Sequence, residues 1–170
     1  MSVLLDNDFV IISLKNNIIY ITLKKKLPSE RKLNIIKKTL QKFYDLCNEK
    51  NTKFFHIFNF NDVALSSIPN FISTKELIKE FFVKNYKLFR TNLYCTSIIL
   101  DNFIIRNCIS LVLQIYTPSK PLNFVSSEQE CHDFFNKIKK EYKKGKWTFE
   151  YDESKTSGWV NYNKINYNGD

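Results

Sequence analysis

Two hydrophobic periods divide the chain into strands and helices. Over residues 9–14, Val10, Ile12 and Leu14 alternate with Phe9, Ile11 and Ser13. Over residues 18–24, Ile19, Ile21 and Leu23 alternate with Ile18, Tyr20 and Thr22. A period of two belongs to a strand. Lys15, Asn16 and Asn17 separate the runs. Asparagine tolerates left-handed backbone, so the spacing predicts a tight hairpin. Pro28 and Ser29 then open a helix to about Lys50, with Leu33, Ile36, Leu40, Phe43, Tyr44 and Cys47 on one stripe and lysines over the rest.

Residues 53–60 are apolar on both faces, as suits a central strand covered by helices on two sides. His56 lies within this strand and reads as a packed, hydrogen-bonded core residue. A loop covers residues 59–70. Ser73, Thr74, Lys75 and Glu76 form a capping box that predicts a helix start there, running to about Phe89. Leu93–Leu100 reads as a buried strand. Asp101 or Asn102 caps a helix to about Tyr116, Pro118 and Pro121 break the chain, and Leu122–Val125 is a short strand. Ser127 and Glu130 make a second capping box, and the last helix runs to about Lys144. The order ββαβαβαβα predicts an α/β domain with a mixed, mostly parallel sheet and packed helices.

Composition changes this picture in two ways. The 170 residues contain three glycines, Gly145, Gly158 and Gly169, so residues 1–144 have none. Phosphate-binding P-loops, the dinucleotide fingerprint and the nucleophile elbow all require glycine and are excluded from residues 1–144. The formal net charge is +9, which ordinarily points toward nucleic acid or anionic membrane. However, 23 lysines stand beside 3 arginines, with 19 asparagines and 19 isoleucines. AT-rich coding explains that skew without selection for binding, as in a protist, a low-GC bacterium or a large DNA virus. Base readout and bidentate phosphate recognition favour the arginine that is scarce here.

Candidate chemistry is sparse. Cys47, Cys95, Cys108 and Cys131 are widely spaced and the histidines number two, so neither zinc spacing nor any cofactor is expected. Cys95 and Cys108 read as core. Cys131 adjoins His132, but neighbouring helix residues face apart. Glu128, Glu130 and Asp133 read as the acidic first turn of a helix. No leader and no membrane span are expected, and the thiols read as reduced in a cytoplasm, a host's if the source is viral. Lys137, Lys139, Lys140, Lys143, Lys144 and Lys146 form a basic run with Trp147 beside it. This run is either a solvated helix end or an anion dock for nucleic acid or acidic lipid. The helix over residues 103–116 is apolar nearly all round, so the sheet and extension, a homodimer or another ligand must cover it. Residues 146–170 form an aromatic extension after the domain at 1–145, either an added hairpin or a flexible tail.

The element order over residues 8–142 resembles the STAS domain of bacterial anti-sigma-factor antagonists. The stretch from Pro118 to Phe135, with its short strand and capped helix, is similar to that family's closing pattern. Its signature loop, approximately Asp-x-Ser and then Asp-Ser-Ser-Gly, aligns Asn59 and Asn61 with the first pair, and Ser66 and Ser67 with the paired serines. Leu65 and Ile68 replace the second aspartate and the glycine. The resemblance therefore implies the fold and a partner loop at Asn61, Asp62, Ser66 and Ser67, while the family's phospho-switch at these serines is not carried over. The reading that follows is a non-catalytic, regulatory protein-interaction module with an unidentified protein partner. The alternative is anion binding through the lysine run.

Overall fold

A computed structural model of the chain describes residues 1–26, 28–115 and 118–149, with backbone alone at residues 71, 108 and 111–115. Among them are the strands β1 (Ser2–Asp6), β2 (Val10–Lys15), β3 (Ile18–Leu23), β4 (Phe54–Asn59), β5 (Leu93–Ile99) and β6 (Leu122–Val125). The helices are α1 (Glu30–Glu49), α2 (Ile68–Lys84), α3 (Tyr86–Asn92), α4 (Phe103–Ile115) and α5 (Glu128–Lys143). The strands pair in sequence order into one sheet. β1–β2 and β2–β3 are antiparallel; β3 through β6 are parallel.

The hairpin between β2 and β3 forms without glycine. Asn16 and Asn17 take φ of 50° and 62°, and Lys15 pairs with Ile18. Positive φ at both central residues is the hairpin turn whose twist matches the strands it joins. After β3 the chain always steps to the next strand in the same direction. Right-handed crossovers then place every connecting helix on one face. The core agrees. Ile36, Leu40 and Tyr44 of α1, Phe81 of α2, Phe89 of α3 and Ile109 of α4 share a cluster with Ile12, Ile19, Ile21, Phe54 and Ile98 of the sheet.

The opposite face is closed by α5. Cys131, Phe135 and Ile138 meet Ile18, Tyr20, Phe55, Ile57, Cys95 and Ile99 there. The double-sided apolar reading of residues 53–60 is thereby accounted for: Phe54 and Phe55 point into different cores. A register shift between Phe54 and His56 sets Tyr94 and Cys95 of β5 against one residue of β4. Both then join the α5 side, where Tyr94 stacks on Phe55 at 4.6 Å.

Three sequence expectations need correction. Residues 2–6 form an added edge strand. Most of this strand is exposed, so its residues carry no burial alternation to read. Its turn to β2 is held by Asn7, whose Oδ1 accepts from the Phe9 and Val10 N–H groups at 2.9 and 3.1 Å. The second helix begins at Ile68, not Ser73, following a 3₁₀ turn at Leu65–Ser67. Pro69 in its first turn presets the helical φ. The capping-box hydroxyls of Ser73 and Thr74 both donate back to the Asn70 carbonyl at 2.9 Å. Nor does one helix reach Phe89. It breaks at Asn85, whose side chain bonds the Phe81 carbonyl and exchanges two 3.1 Å bonds with the Gln41 amide on α1.

The second capping box is used as read: Ser127 Oγ accepts from the Glu130 N–H at 3.3 Å, and Glu130 accepts from Ser126 N–H at 3.1 Å. Asn102 Oδ1 caps α4 through the Ile104 and Ile105 N–H groups. α5 ends at Gly145, with φ at +75°. The Gly145 N–H reaches the Tyr142 carbonyl and the Lys146 N–H the Glu141 carbonyl, both at 3.0 Å, which is a Schellman closure.

His56 is fully buried among rings, as expected for a core residue. Its Nε2 lies 3.0 Å from the Tyr44 hydroxyl, and its Nδ1 lies 3.5 Å from Thr96 Oγ1. Burial lowers its pKa from 6.5 to about 3. Between those values the unfolded chain binds a proton that the folded ring refuses, so stability falls on acidification from pH 6.5 toward 3. The expected slope from this group approaches about 1.4 kcal/mol per pH unit. Urea unfolding across pH 4–7 checks it, and His56→Gln should flatten this contribution. Separately, Gly145→Ala should cost about 1 kcal/mol because an L side chain strains the left-handed backbone, and Gly145→Asn should cost less.

Candidate functional site

The parallel strands β3 to β6 all end at one edge of the sheet. The loops that follow them gather there, which is where open α/β sheets commonly place their binding surfaces. Asn59 Oδ1 accepts from the Asn61 N–H at 3.0 Å and shapes the loop after β4. Asn61 then reaches across to the end of β5. Its Nδ2 donates to Asp101 Oδ2 at 3.2 Å, and its Oδ1 accepts from the Asp101 N–H at 3.1 Å. This clasp fixes the loop after β4 against the start of α4. Sequence reading singled out Asn61 but missed Asp101 as its partner.

The paired serines separate in role. Ser67 is buried, and its hydroxyl donates to the Lys25 carbonyl at 3.1 Å. Ser66 and Asp62 are exposed. Large apolar side chains on the two joined segments are open to solvent: Leu65 at 45% after Asn61, and Phe103 at 72% and Ile104 at 48% after Asp101. Phe103 and Ile104 open the helix just after Asp101 and Asn102, so the Asn61 clasp joins the start of α4 to the loop that leads to the Leu65–Ser67 turn.

The lysine run divides. Lys137, Lys140 and Lys144 share a groove on α5 with Asp133, Asn136 and Glu141. Lys139 instead lies over the Phe55 ring, 4.9 Å from its centroid. Lys146 pairs with Glu141 at 3.2 Å, and Trp147 donates its indole N–H to the same carboxylate at 2.8 Å. The Trp147 N–H, with Lys146 beside it, holds Glu141 below the usual carboxylate range. Lys143 is exposed but belongs to neither group. Six lysines adjacent in sequence thus do not make one patch.

Comparison of the chain with protein-family models, with curated proteins and with solved structures finds no match.

The cysteines described lie inside. Cys47, Cys95 and Cys131 are free and buried. Burial pushes the Cys47 and Cys131 thiols up to about 11 and the Cys95 thiol well above its ordinary value. Such thiols carry little thiolate at neutral pH. His132 turns away from Cys131, with its Nε2 3.4 Å from Glu128. Cys108 and residues 111–116, apolar but for Gln114, lie outside the described side chains. So does everything after Phe149, and with it most of the extension expected as an added hairpin or a flexible tail. No described helix is long and apolar enough to cross a membrane.

Two features escaped sequence reading. One is a cationic group at the opposite edge of the sheet, where the segments leading into β4, β5 and β6 bring Lys53, Arg90 and Lys120 together. Lys120 is buried. Its Nζ donates to the Thr148 carbonyl and lies 4.8 Å from the Phe149 ring centroid and 5.3 Å from that of Tyr142. Phe149 in turn stacks on Tyr142 at 4.3 Å. Desolvation, with Arg90 and Lys53 nearby, lowers the Lys120 pKa to about 7. The other is a cavity of about 170 Å³, partly open to solvent, between the sheet and its helical cover.

The Lys120 shift has a defined sign. Its folded pKa lies below the unfolded value of 10.5, so the contribution of this group to stability is greatest above that value and declines as pH falls toward 7. Lys120→Met should remove this dependence while keeping the packed stem. Denaturant unfolding of both proteins between pH 7 and 10 measures it.

Proposed function

We propose that this chain is a non-catalytic, STAS-like regulatory module that docks a protein partner through the edge surface around Ser66. One observation carries the reading: Leu65, Phe103 and Ile104 are exposed on the two segments that the Asn61–Asp101 clasp joins. Scattered apolar side chains are ordinary on a protein surface, but exposed ones on two segments held together by a fixed polar clasp suit a docking patch. The six-stranded mixed sheet supports the resemblance at the level of architecture. Ser66 is the exposed hydroxyl of the pair and sits just ahead of the N-terminus of α2, where added negative charge is favoured.

A second reading rests on Lys137, Lys140 and Lys144, whose groove offers three ammonium groups to an anion. Asp133 and Glu141 in the same groove reduce its net charge, so this reading ranks below the first. A homodimer is a special case of the first, with a second copy as the partner.

One set of variants separates these readings. Leu65→Ser/Phe103→Ser should fold, by circular dichroism and urea midpoint, and lose the specific protein captured by the wild-type chain. Lys140→Glu/Lys144→Glu should retain it. The reverse pattern, with binding to nucleic acid or acidic vesicles that weakens steeply with salt, would favour the lysine groove. Sedimentation of the wild type and the Phe103→Ser variant shows whether the partner is another copy.

A further inference from the structure

We propose that the cavity beneath α1 and α2 is a binding site for a small apolar molecule, about the size of one aromatic ring, that carries a hydrogen-bond acceptor. The volume, about 170 Å³, slightly exceeds that of an engineered apolar cavity known to hold benzene. Its floor is sheet: Ile21, Phe58 and Ile98. Its cover includes Ile36 and Leu40 from α1 and Ile78 from α2. Protein interiors rarely leave such space unfilled. A cavity with these walls holds water poorly, because water needs two to four polar partners.

The polar groups that reach the cavity define the ligand further. His56, Thr74, Thr96 and Ser119 belong to its lining, as do Lys37, Lys79 and Lys120, yet the lining surface is almost wholly apolar. His56 is engaged by the Tyr44 hydroxyl at 3.0 Å. Thr96 Oγ1 is 3.5 Å from the ring nitrogen, at the outer limit of a hydrogen bond. The Ser119 hydroxyl is buried and has no partner among the described residues. A buried hydroxyl without a partner carries a desolvation cost that an acceptor on a ligand would remove. A purely apolar molecule would fill the space but leave Ser119 unmet. The expected ligand therefore combines an apolar body with one carbonyl or ether-like oxygen. This site is separate from the edge surface, and it stands or falls independently of the partner reading.

Benzene and acetophenone are suitable probes, titrated into the full chain and followed by methyl NMR and thermal unfolding. Both should shift the methyl groups of Ile21, Ile36, Leu40 and Ile98, and raise the melting temperature. Acetophenone should bind about fivefold more tightly, and Ser119→Ala should abolish that advantage. Ile78→Phe should occupy the space, raise the melting temperature and remove binding. Should that variant fail to fold, Leu40→Phe fills the same volume from α1. Three outcomes overturn the proposal: no methyl shift at millimolar probe, as for a water-filled cavity; shifts confined to surface methyls; or undiminished binding in a folded filled variant. Equal affinity for the two probes overturns the acceptor requirement.

Discussion

After the initial hairpin, each new parallel strand is laid beside the last in one direction, and the organisation of this molecule depends on that constraint. Right-handed crossovers then send α1, α2–α3 and α4 to the same face. The other face is left to α5. Strands β3, β4 and β5 consequently need apolar residues on both sides, which the runs at residues 18–23, 54–59 and 93–99 supply. One helix covers less area than four. The bulge in β5 helps by turning Tyr94 as well as Cys95 toward α5, and Phe149 then packs against Tyr94 and Tyr142. The same topology sorts the loops. Every segment leaving a parallel strand lies at one edge, where the Asn61–Asp101 clasp forms. Every segment entering one lies at the other, where Lys53, Arg90 and Lys120 meet.

Much of this architecture was legible because it depends on local signals. The periods of two and 3.6 located most elements, and the Asn16-Asn17 pair replaced the glycine a hairpin usually uses. The two capping boxes show where local reading stops. Ser127 and Glu130 act as a cap because the extended strand and loop before them leave the helix no earlier start. Ser73 and Glu76 carry the same pattern, yet Pro69 has already begun the helix, so the hydroxyls of Ser73 and Thr74 bond backward into it. The break at Asn85 depends on the Gln41 amide 44 residues away. The pattern within α2 and α3 could not reveal that partner.

The candidate site divides in the same way. Its loop was found from the serine pair, but the distinction between exposed Ser66 and buried Ser67 comes from Lys25, whose carbonyl takes the second hydroxyl. Asp101 was read only as a helix cap; its bond to Asn61 spans 40 residues. The lysine run was a case of counting charges along the chain without winding them onto the helix. At 3.6 residues per turn, Lys137, Lys140 and Lys144 fall on one side and Lys139 on another. Helical spacing alone contained that division.

His56 and Lys120 are buried bases handled in different ways. His56 can become neutral at little cost, so rings and two hydroxyl contacts suffice to keep it inside. Lys120 begins with a higher proton affinity, and two cations stand near it. Its ammonium is met by the Thr148 carbonyl and by the faces of Tyr142 and Phe149, which supply negative potential without adding a formal charge. Removing that segment would leave the amine beside Arg90 and Lys53 without the Thr148 acceptor and the Phe149 ring face. Residues 146–149 are therefore part of the folded domain's charge balance as well as the beginning of the extension. The aromatic and glycine content after Lys144 marks a change of composition, yet Thr148 and Phe149 still contact the buried Lys120.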